Sequence, residues 1–148
     1  MLVTYPALFY YDDSVDTKYS IYFPDFKNSS TLGTDISDAM YMASDWLGVT
    51  LAGNLEDGLA IPNPSNINRL SLDGDDPFKD DHDFDLVYDK EKSFISMVTV
   101  NVSNYLDNQK LIKKTLTIPR WADTLGKDMN LNFSETLTDA IAAKKFIE

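Results

Sequence analysis

Residues 110–148 carry one strand pattern followed by two helix patterns, and this constrains the fold more than any other feature of the sequence. Polar and apolar side chains alternate there with the period of a β-strand. One side of the predicted strand carries Lys113, Thr115 and Thr117, and the other side carries Ile112, Leu116 and Ile118. So short a segment cannot bury both faces of a lone strand, and we therefore expect it to dimerise.

Two short helices are predicted after this strand. Pro119 ends the strand and suits the first position of a helix, Asn130 can adopt positive φ in the following turn, and Ser134 can cap the second helix. Helical spacing connects Trp121, Ala122, Leu125 and Met129, and then Leu137, Ala140, Ile141 and Lys144. The predicted core of the dimer consists of Leu116, Ile118, Trp121, Leu125, Leu137 and Ile141.

The beginning of the sequence predicts a hairpin, a short third strand and a helix. Residues 2–11 and 19–23 are rich in Tyr, Phe, Ile and Val and are separated by a polar stretch. The stretch TLGTD supplies the third strand, and Asp35 is placed to cap the helix. Apolar residues at helical spacing, which are Ile36, Ala39, Met40, Ala43 and Leu47, predict a helix from 36 to about 48 that stops near Gly48 to Gly53.

A fourth strand completes this part of the chain. Residues 61–70 contain two prolines and are predicted to be an extended connector. Residues 94–102 place Val98, Val100 and Val102 on one strand face and Met97, Thr99 and Asn101 on the other. The order strand, strand, strand, helix, strand predicts an α+β domain over residues 1 to 106, and residues 104–110 are the predicted linker to a second domain, 110–148.

Charge is divided unevenly between these two parts. Residues 1–109 contain 6 Lys and Arg against 19 Asp and Glu, a net charge of −13, whereas residues 110–148 contain 7 against 5, a net charge of +2. An acidic domain repels phosphate backbones and attracts basic partners, while a mildly basic segment tolerates nucleic acid. The alternative is that the acidic residues only keep the larger domain soluble.

The sequence also indicates the setting of the protein. It contains no cysteine, so a disulfide framework and a thiolate metal site are excluded, and a reducing cytoplasm is the expected compartment. The first residues, MLVTYPALFYYDD, lack a basic leader and a small-residue cleavage site, and they are predicted to form a strand rather than a signal peptide. No stretch approaches the roughly 20 apolar residues of a membrane span.

A metal-dependent nuclease is the enzymatic alternative. Asp12, Asp13, Asp25 and Asp38 lie at predicted strand ends or at the helix start, and two-metal cleavage requires such carboxylates to converge. Turns and helix starts are, however, sufficient structural reasons for these aspartates. We therefore expect no catalytic residue, no metal and no cofactor.

The densely acidic stretch at residues 73–85 offers two further chemical interpretations. His82 is the only histidine, but a loop is a poor place for an oriented general base. An EF-hand calcium loop needs glycine at position 6 and glutamate at position 12, and a count from Asp73 finds glycine at position 2 and Phe84 at position 12. The stretch is predicted to be a solvated acidic loop.

The pattern KKTLTIP, a polar turn and NFSETL resembles the ribbon-helix-helix DNA-binding fold, in which two chains pair their strands into a ribbon that enters the major groove. That resemblance makes Lys113, Thr115 and Thr117 the base-reading residues. Asn132 and Ser134, at the start of the second helix, would lie near a DNA phosphate. The alternative is an amphipathic strand that only dimerises.

Five stretches, joined to this carboxy-terminal segment, resemble in order the HicB family of antitoxins. The resemblance covers nearly the whole chain, and the acidic segment at about 66–92 is its least family-like part. The five stretches are YPALFYYDD, YSIYFPDF, the helix that begins DISDAM, LAIPNPS and FISMVTVNVSNYL. The resemblance implies a first domain with a partial ribonuclease H-like fold that covers the active site of HicA, a small basic mRNA-cleaving toxin. It also implies that the second domain binds operator DNA and represses its own operon. The alternative is a ligand-responsive transcriptional regulator with no toxin partner.

Overall fold

Aromatic and β-branched residues near both ends of residues 2–106 form one antiparallel sheet. The structure is a computed structural model that describes residues 1–146. The strands of the sheet are β1 (Leu2–Tyr11), β2 (Tyr19–Tyr22), β3 (Thr31–Gly33) and β4 (Phe94–Asn101), in the spatial order β3-β2-β1-β4. The helix α1 (Ile36–Glu56) packs on this sheet, which confirms the predicted α+β class and order of elements.

The hairpin between β1 and β2 is closed by Asp12. Its carboxylate accepts hydrogen bonds from the Ser14 backbone N–H at 3.0 Å and from the Ser14 hydroxyl at 2.7 Å, and the Asp12 N–H donates to the Lys18 carbonyl at 2.8 Å. An aspartate that bonds to backbone two residues ahead is a local turn device. The predicted hairpin, and the structural role of Asp12 in it, are both confirmed.

The central strand β1 is buried on both faces, and it contains a proline. Alternate residues of an antiparallel strand bond to opposite neighbours. Pro6 belongs to the set that faces β2, but β2 ends at Tyr22, which lies opposite Leu8. The missing N–H of Pro6 therefore faces no strand, and the proline breaks no ladder hydrogen bond.

The helix α1 begins where the sequence predicts and ends later. The Asp35 carboxylate accepts from the Asp38 N–H at 2.8 Å, which confirms Asp35 as the cap. The expected stop near Gly48 to Gly53 is wrong, because the buried face of the helix continues through Leu51 and Ala52. Packing outweighs the low helix propensity of glycine here.

The fourth strand has the predicted alternation of faces. Val98 and Val100 are buried, whereas Met97 and Thr99 are exposed. Strand β4 ends at Asn101, one residue earlier than predicted, and Val102 is buried in a short 3-10 turn.

Tyr105 anchors the chain after this turn. Its ring lies against Gly48, where an added Cβ would come within 2.4 Å of the ring, and its hydroxyl donates to the Asp45 carboxylate at 3.0 Å. The chain divides into a unit of Leu2–Leu106 and a unit that starts at Asp107 and includes Met1. Tyr105 therefore belongs to the first unit, although the sequence places it in the linker.

The second unit contains two helices, α2 (Arg120–Asp128) and α3 (Phe133–Phe146). Asn130 adopts the expected positive φ of 53° in the turn between them. Pro119 stands just before α2 rather than inside it. The cap of α3 is Asn132 and not Ser134, because the Asn132 side chain accepts from the Glu135 N–H at 3.2 Å.

The segment 112–118 is not a strand in the single chain, contrary to expectation. A β-strand requires backbone hydrogen bonds to a neighbouring strand, and no such ladder reaches this segment within residues 1–146.

Between α1 and β4, the predicted connector 61–70 contains a 3-10 turn at Ile67–Arg69. Of the helices described, none is long and apolar enough to cross a membrane.

Two glycines provide a matched test of this packing. An added Cβ at Gly33 would lie 2.4 Å from the Ala39 Cα, so we expect Gly33→Ala to lower the free energy of unfolding by roughly 1–3 kcal/mol. Gly53 lies inside α1 with nothing within 4 Å of an added Cβ, so Gly53→Ala should raise it by about 0.5–1 kcal/mol. Urea unfolding followed by circular dichroism measures both, and shifts of the same sign would contradict the packing described.

Candidate functional site

Three of the aspartates proposed for metal-dependent cleavage, Asp12, Asp25 and Asp38, accept structural hydrogen bonds. The Asp25 carboxylate accepts from the Ser65 N–H at 2.9 Å and also from the Ser65 hydroxyl. The Asp38 carboxylate accepts from the Thr34 N–H at 2.8 Å, and Asp12 closes its hairpin. No group of three metal-ligating side chains converges among residues 1–146. The structure therefore does not bring the proposed carboxylates together.

The acidic stretch 73–85 forms a series of turns, as predicted. Its carboxylates accept from nearby backbone N–H groups: Asp75 from Ser71 at 2.8 Å, and Asp76 from Phe78 at 2.8 Å. Such bonds hold the turns and do not form a cage for a cation. His82 is exposed in one of these turns. The stretch therefore supplies negative charge on a folded surface.

Tyrosine side chains hold this acidic stretch against the sheet. The Tyr10 hydroxyl donates to the Leu72 carbonyl at 2.7 Å, and its ring meets the Tyr88 ring with centroids 4.9 Å apart. Tyr88 donates to the Asp73 carboxylate, and this hydrogen bond is the main reason why the pKa of Asp73 is lowered. Burial, followed by the nearby Asp76 carboxylate, raises the pKa of Tyr10. The acidic surface is therefore fixed in position by the core.

An acidic groove lies between this stretch and the loop that connects β2 to β3. The groove has a volume of 480 Å³. Its walls include the apolar side chains of Leu8, Tyr22, Phe26 and Phe78 and the carboxylates of Asp75, Asp76 and Asp80. Apolar walls with a carboxylate rim suit the long basic side chains of a protein partner, whose stems are apolar and whose heads are charged.

In the second unit, all five residues proposed to contact DNA are exposed. They are Lys113, Thr115, Thr117, Asn132 and Ser134. Asn132 and Ser134 stand together at the start of α3, where the helix dipole favours an anion. The Glu135 N–H is already bonded to the Asn132 side chain. An anion at this helix start would therefore meet the N–H groups of Phe133 and Ser134.

The apolar residues proposed for a dimer core are also exposed in the single chain. Their exposed fractions lie between 37% for Leu137 and 70% for Trp121. Several of them line a groove of 510 Å³ between the segment 114–118 and α3. The apolar lining of this groove consists of Leu116, Ile118, Phe133, Leu137 and Ala140. Exposed apolar surface of this kind is typical of interaction sites.

Two comparisons with known proteins decide the family. A family model described as HicB_like antitoxin of bacterial toxin-antitoxin system matches residues 4–71. A solved chain from a toxin-antitoxin complex from Streptococcus pneumoniae is 61% identical to this one, and the match covers 98% of this chain and 100% of that chain with a TM-score of 0.72. The chain belongs to the HicB-like antitoxin family.

A more distant antitoxin of known structure shares the fold of this HicB-like antitoxin. The antitoxin HicB of Burkholderia pseudomallei is 20% identical, and the match covers 94% of this chain and 96% of that chain with a TM-score of 0.54. No curated protein sequence matches the chain.

Membership of the family settles the class of function. The chain is an antitoxin and not an enzyme. The aspartates that suggested a nuclease hold a hairpin, a helix start and a loop instead. The resemblance read from the sequence is thus confirmed at the level of the family.

Several tyrosines make long-range contacts in this antitoxin that the sequence does not predict. The hydroxyl groups of Tyr5 and Tyr10 reach the carbonyls of Pro62 and Leu72 across the fold, and Tyr105 packs on Gly48. Each pair is separated by more than fifty residues, so no local spacing could reveal it. The only signal in the sequence is the high content of tyrosine, 8 residues in the chain.

The buried Tyr5 predicts how stability depends on alkaline pH. Burial, followed by the Asp25 carboxylate, raises the pKa of Tyr5 from 10.0 to about 12. Because the folded state holds this proton more tightly, the resulting stability is complete below about pH 10 and is lost as the pH rises through about 12. Tyr5→Phe removes the titrating group, so its urea midpoint should fall less steeply over that range than the midpoint of the unchanged chain.

Tyr41→Phe is the control for this experiment, because Tyr41 is an exposed tyrosine of the same unit. Its urea midpoint should follow that of the unchanged chain at every pH. An equally steep fall with Tyr5→Phe would contradict the description of Tyr5 as a buried, protonated anchor.

Proposed function

We propose that residues 1–106, which contain the whole first unit, are the toxin-binding domain, with a partial ribonuclease H-like fold. It binds a small mRNA-cleaving toxin of the HicA type and covers the active site of that toxin. Three consecutive antiparallel strands, a helix and a strand beside β1 support the fold. The family match at residues 4–71, which lies within this unit, supports the role.

Charge supports the same assignment. Residues 1–109 carry a net charge of −13, from 6 basic and 19 acidic side chains, and the acidic stretch is held in place on the folded unit. A protein that cleaves RNA must attract phosphate groups, so its RNA-binding surface is basic. Complementary charge accelerates encounter and covers the surface that RNA would otherwise occupy. The mechanism is occlusion, and it requires no cofactor.

Residues 110–148, which lie within the second unit, act in this proposal as a ribbon-helix-helix domain that dimerises. The observation that carries the proposal is the apolar groove of 510 Å³ beside the unpaired segment 112–118. The segment lacks a strand to pair with and the groove lacks a cover, and a second copy supplies both. Its own segment pairs with 112–118 as an antiparallel ribbon, and its apolar side chains cover the groove. The two-fold symmetry of such a pair places the same residues on both sides.

Pairing of the segments also creates a DNA-binding surface. With Leu116 and Ile118 turned to the helices, strand alternation turns Lys113, Thr115 and Thr117 to the outside of the ribbon. These side chains donate hydrogen bonds to base edges in the major groove, while Asn132 and Ser134 bring the start of α3 to a phosphate. We propose that this DNA is the operator of the antitoxin's own operon, and that the cytoplasmic dimer represses it.

A triple alanine substitution tests the DNA assignment. Replacement of Lys113, Thr115 and Thr117 should weaken binding to the DNA upstream of the chain's own gene by at least about tenfold, because several base contacts are lost in each copy. Toxin binding should be unchanged, because these residues lie in the other unit. Fluorescence anisotropy over a salt series, against a scrambled duplex, measures the effect.

Lys18→Ala is the matched control, because it removes one exposed lysine from the first unit. It should leave DNA affinity within about twofold of the unchanged chain, since it makes no base contact. Unaltered operator affinity of the triple variant would show that the segment does not lie in the groove.

A further inference from the structure

The hydrogen-bond pattern of β1 shows which backbone groups of the sheet face outward. Asp12 donates to the Lys18 carbonyl at 2.8 Å, so even-numbered residues of this strand bond towards β2. Tyr11 bonds on the opposite side, since its N–H donates to the Ser93 hydroxyl at 2.8 Å and its carbonyl accepts from the Asp89 N–H at 2.8 Å. Odd-numbered residues of β1 therefore bond to β4.

The register of β4 then determines its outer edge. Odd-numbered residues of β1 pair with Ser96 and Val98, so Ile95, Met97 and Thr99 direct their N–H and C=O groups away from β1. Thr4 lies opposite Thr99, in the type of pair whose backbones do not bond to each other and whose side chains lie closer together. Their hydroxyl oxygens are accordingly 2.9 Å apart. Strand β4 is thus an edge strand with a row of outward backbone groups.

This edge is open around Ile95 and Met97. The Thr99 carbonyl accepts from the Ser44 hydroxyl at 2.8 Å, and the Met97 carbonyl accepts from the Ser96 hydroxyl at 3.1 Å. In residues 1–146, no group accepts from the N–H of Ile95 or Met97. The open stretch is therefore the first half of β4.

Folded proteins usually protect an edge of this length. The common devices are charged residues, proline, bulges or very short strands. Strand β4 has the sequence FISMVTVN, with no charge and no proline, and its register with β1 runs without a bulge over all 8 residues. The opposite edge, β3, is only 3 residues long. An unprotected edge of this kind is suited to the addition of a strand from a partner.

We propose that the toxin adds a strand to β4, with backbone hydrogen bonds to Ile95 and Met97. This inference rests on the proposed role of the first unit in toxin binding, and it names the surface used. The exposed side chain of Met97, at one of the two bonded positions, provides an apolar contact for the added strand. The sheet of the antitoxin then continues into its partner.

Charge favours the toxin over a second antitoxin chain as the occupant. The first unit lies within a region of net charge −13, so the first units of two antitoxin chains repel one another. A basic toxin is instead attracted to this unit. The second copy already has a place in the proposed function, on the apolar groove of the other unit. An uncharged edge within an acidic unit therefore favours a basic partner over a second acidic unit.

Hydrogen exchange of the full chain, with and without the toxin of the Streptococcus pneumoniae complex, tests this inference. The N–H groups of Ile95 and Met97 should exchange at least about tenfold more slowly when toxin is bound, because they gain acceptors. The N–H of Leu32 faces outward on the β3 edge by the same pairing rule, and its exchange should not change. Toxin binding without slower exchange at Ile95 and Met97 would overturn the strand addition.

Proline substitution provides the second test. Met97→Pro removes one outward N–H and should weaken toxin binding by about tenfold or more, while a proline whose N–H position faces solvent is tolerated at an edge. Leu32→Pro makes the same change on the opposite edge and should alter toxin affinity by less than about twofold. Calorimetric titration measures both affinities, and circular dichroism verifies that both variants fold.

The results separate the two levels of the proposal. Equal affinity of Met97→Pro and the unchanged chain would overturn the strand addition and leave toxin binding by the first unit in place. If Met97→Pro does not fold, the exchange measurement on the unchanged chain decides. No binding of toxin by the unchanged chain would overturn the proposed function, and the strand addition with it.

Discussion

An extended strand must find hydrogen-bond partners for its backbone N–H and C=O groups, and both interfaces proposed for this antitoxin depend on that requirement. The first unit satisfies it for β1, which lies between β2 and β4. Within residues 1–146, the outer edge of β4 and the segment 112–118 both leave it open. We assign a different partner to each place, the toxin to β4 and a second antitoxin chain to 112–118.

Charge and apolar surface allow the two open places to select different partners. The first unit is strongly acidic, so it disfavours another copy of itself and nucleic acid, and it favours a basic protein. The second unit is close to neutral and exposes an apolar groove, which a second copy can cover without strong repulsion. In the proposed function, toxin binding and DNA binding are therefore separated along the chain, and each is supported by a different physical property.

The sequence predicts the local features of this structure well. The hairpin turn at Asp12, the cap at Asp35, the alternation of β4 and the turn at Asn130 each depend on residues a few positions apart. The family could also be inferred, because its characteristic stretches are local. Such features are accessible because propensity and spacing decide them.

Features that depend on distant contacts were not predicted. The helix α1 continues past Gly48 because Leu51 and Ala52 are buried. The tyrosine anchors of the acidic stretch and the open edge of β4 appear only once the strands are placed in order. For the segment 112–118, a single chain provides no second strand, so its pairing remains a prediction.

The most direct test of the central claim, that toxin and DNA bind to separate units of a dimer, is the mass of the assembled complex. Sedimentation velocity would be measured for the full chain mixed with the toxin of the Streptococcus pneumoniae complex and a duplex from upstream of its own gene. The account predicts one species that contains two antitoxin chains, two toxins and one duplex. Release of toxin when DNA is added, or DNA binding by a single chain, would contradict it.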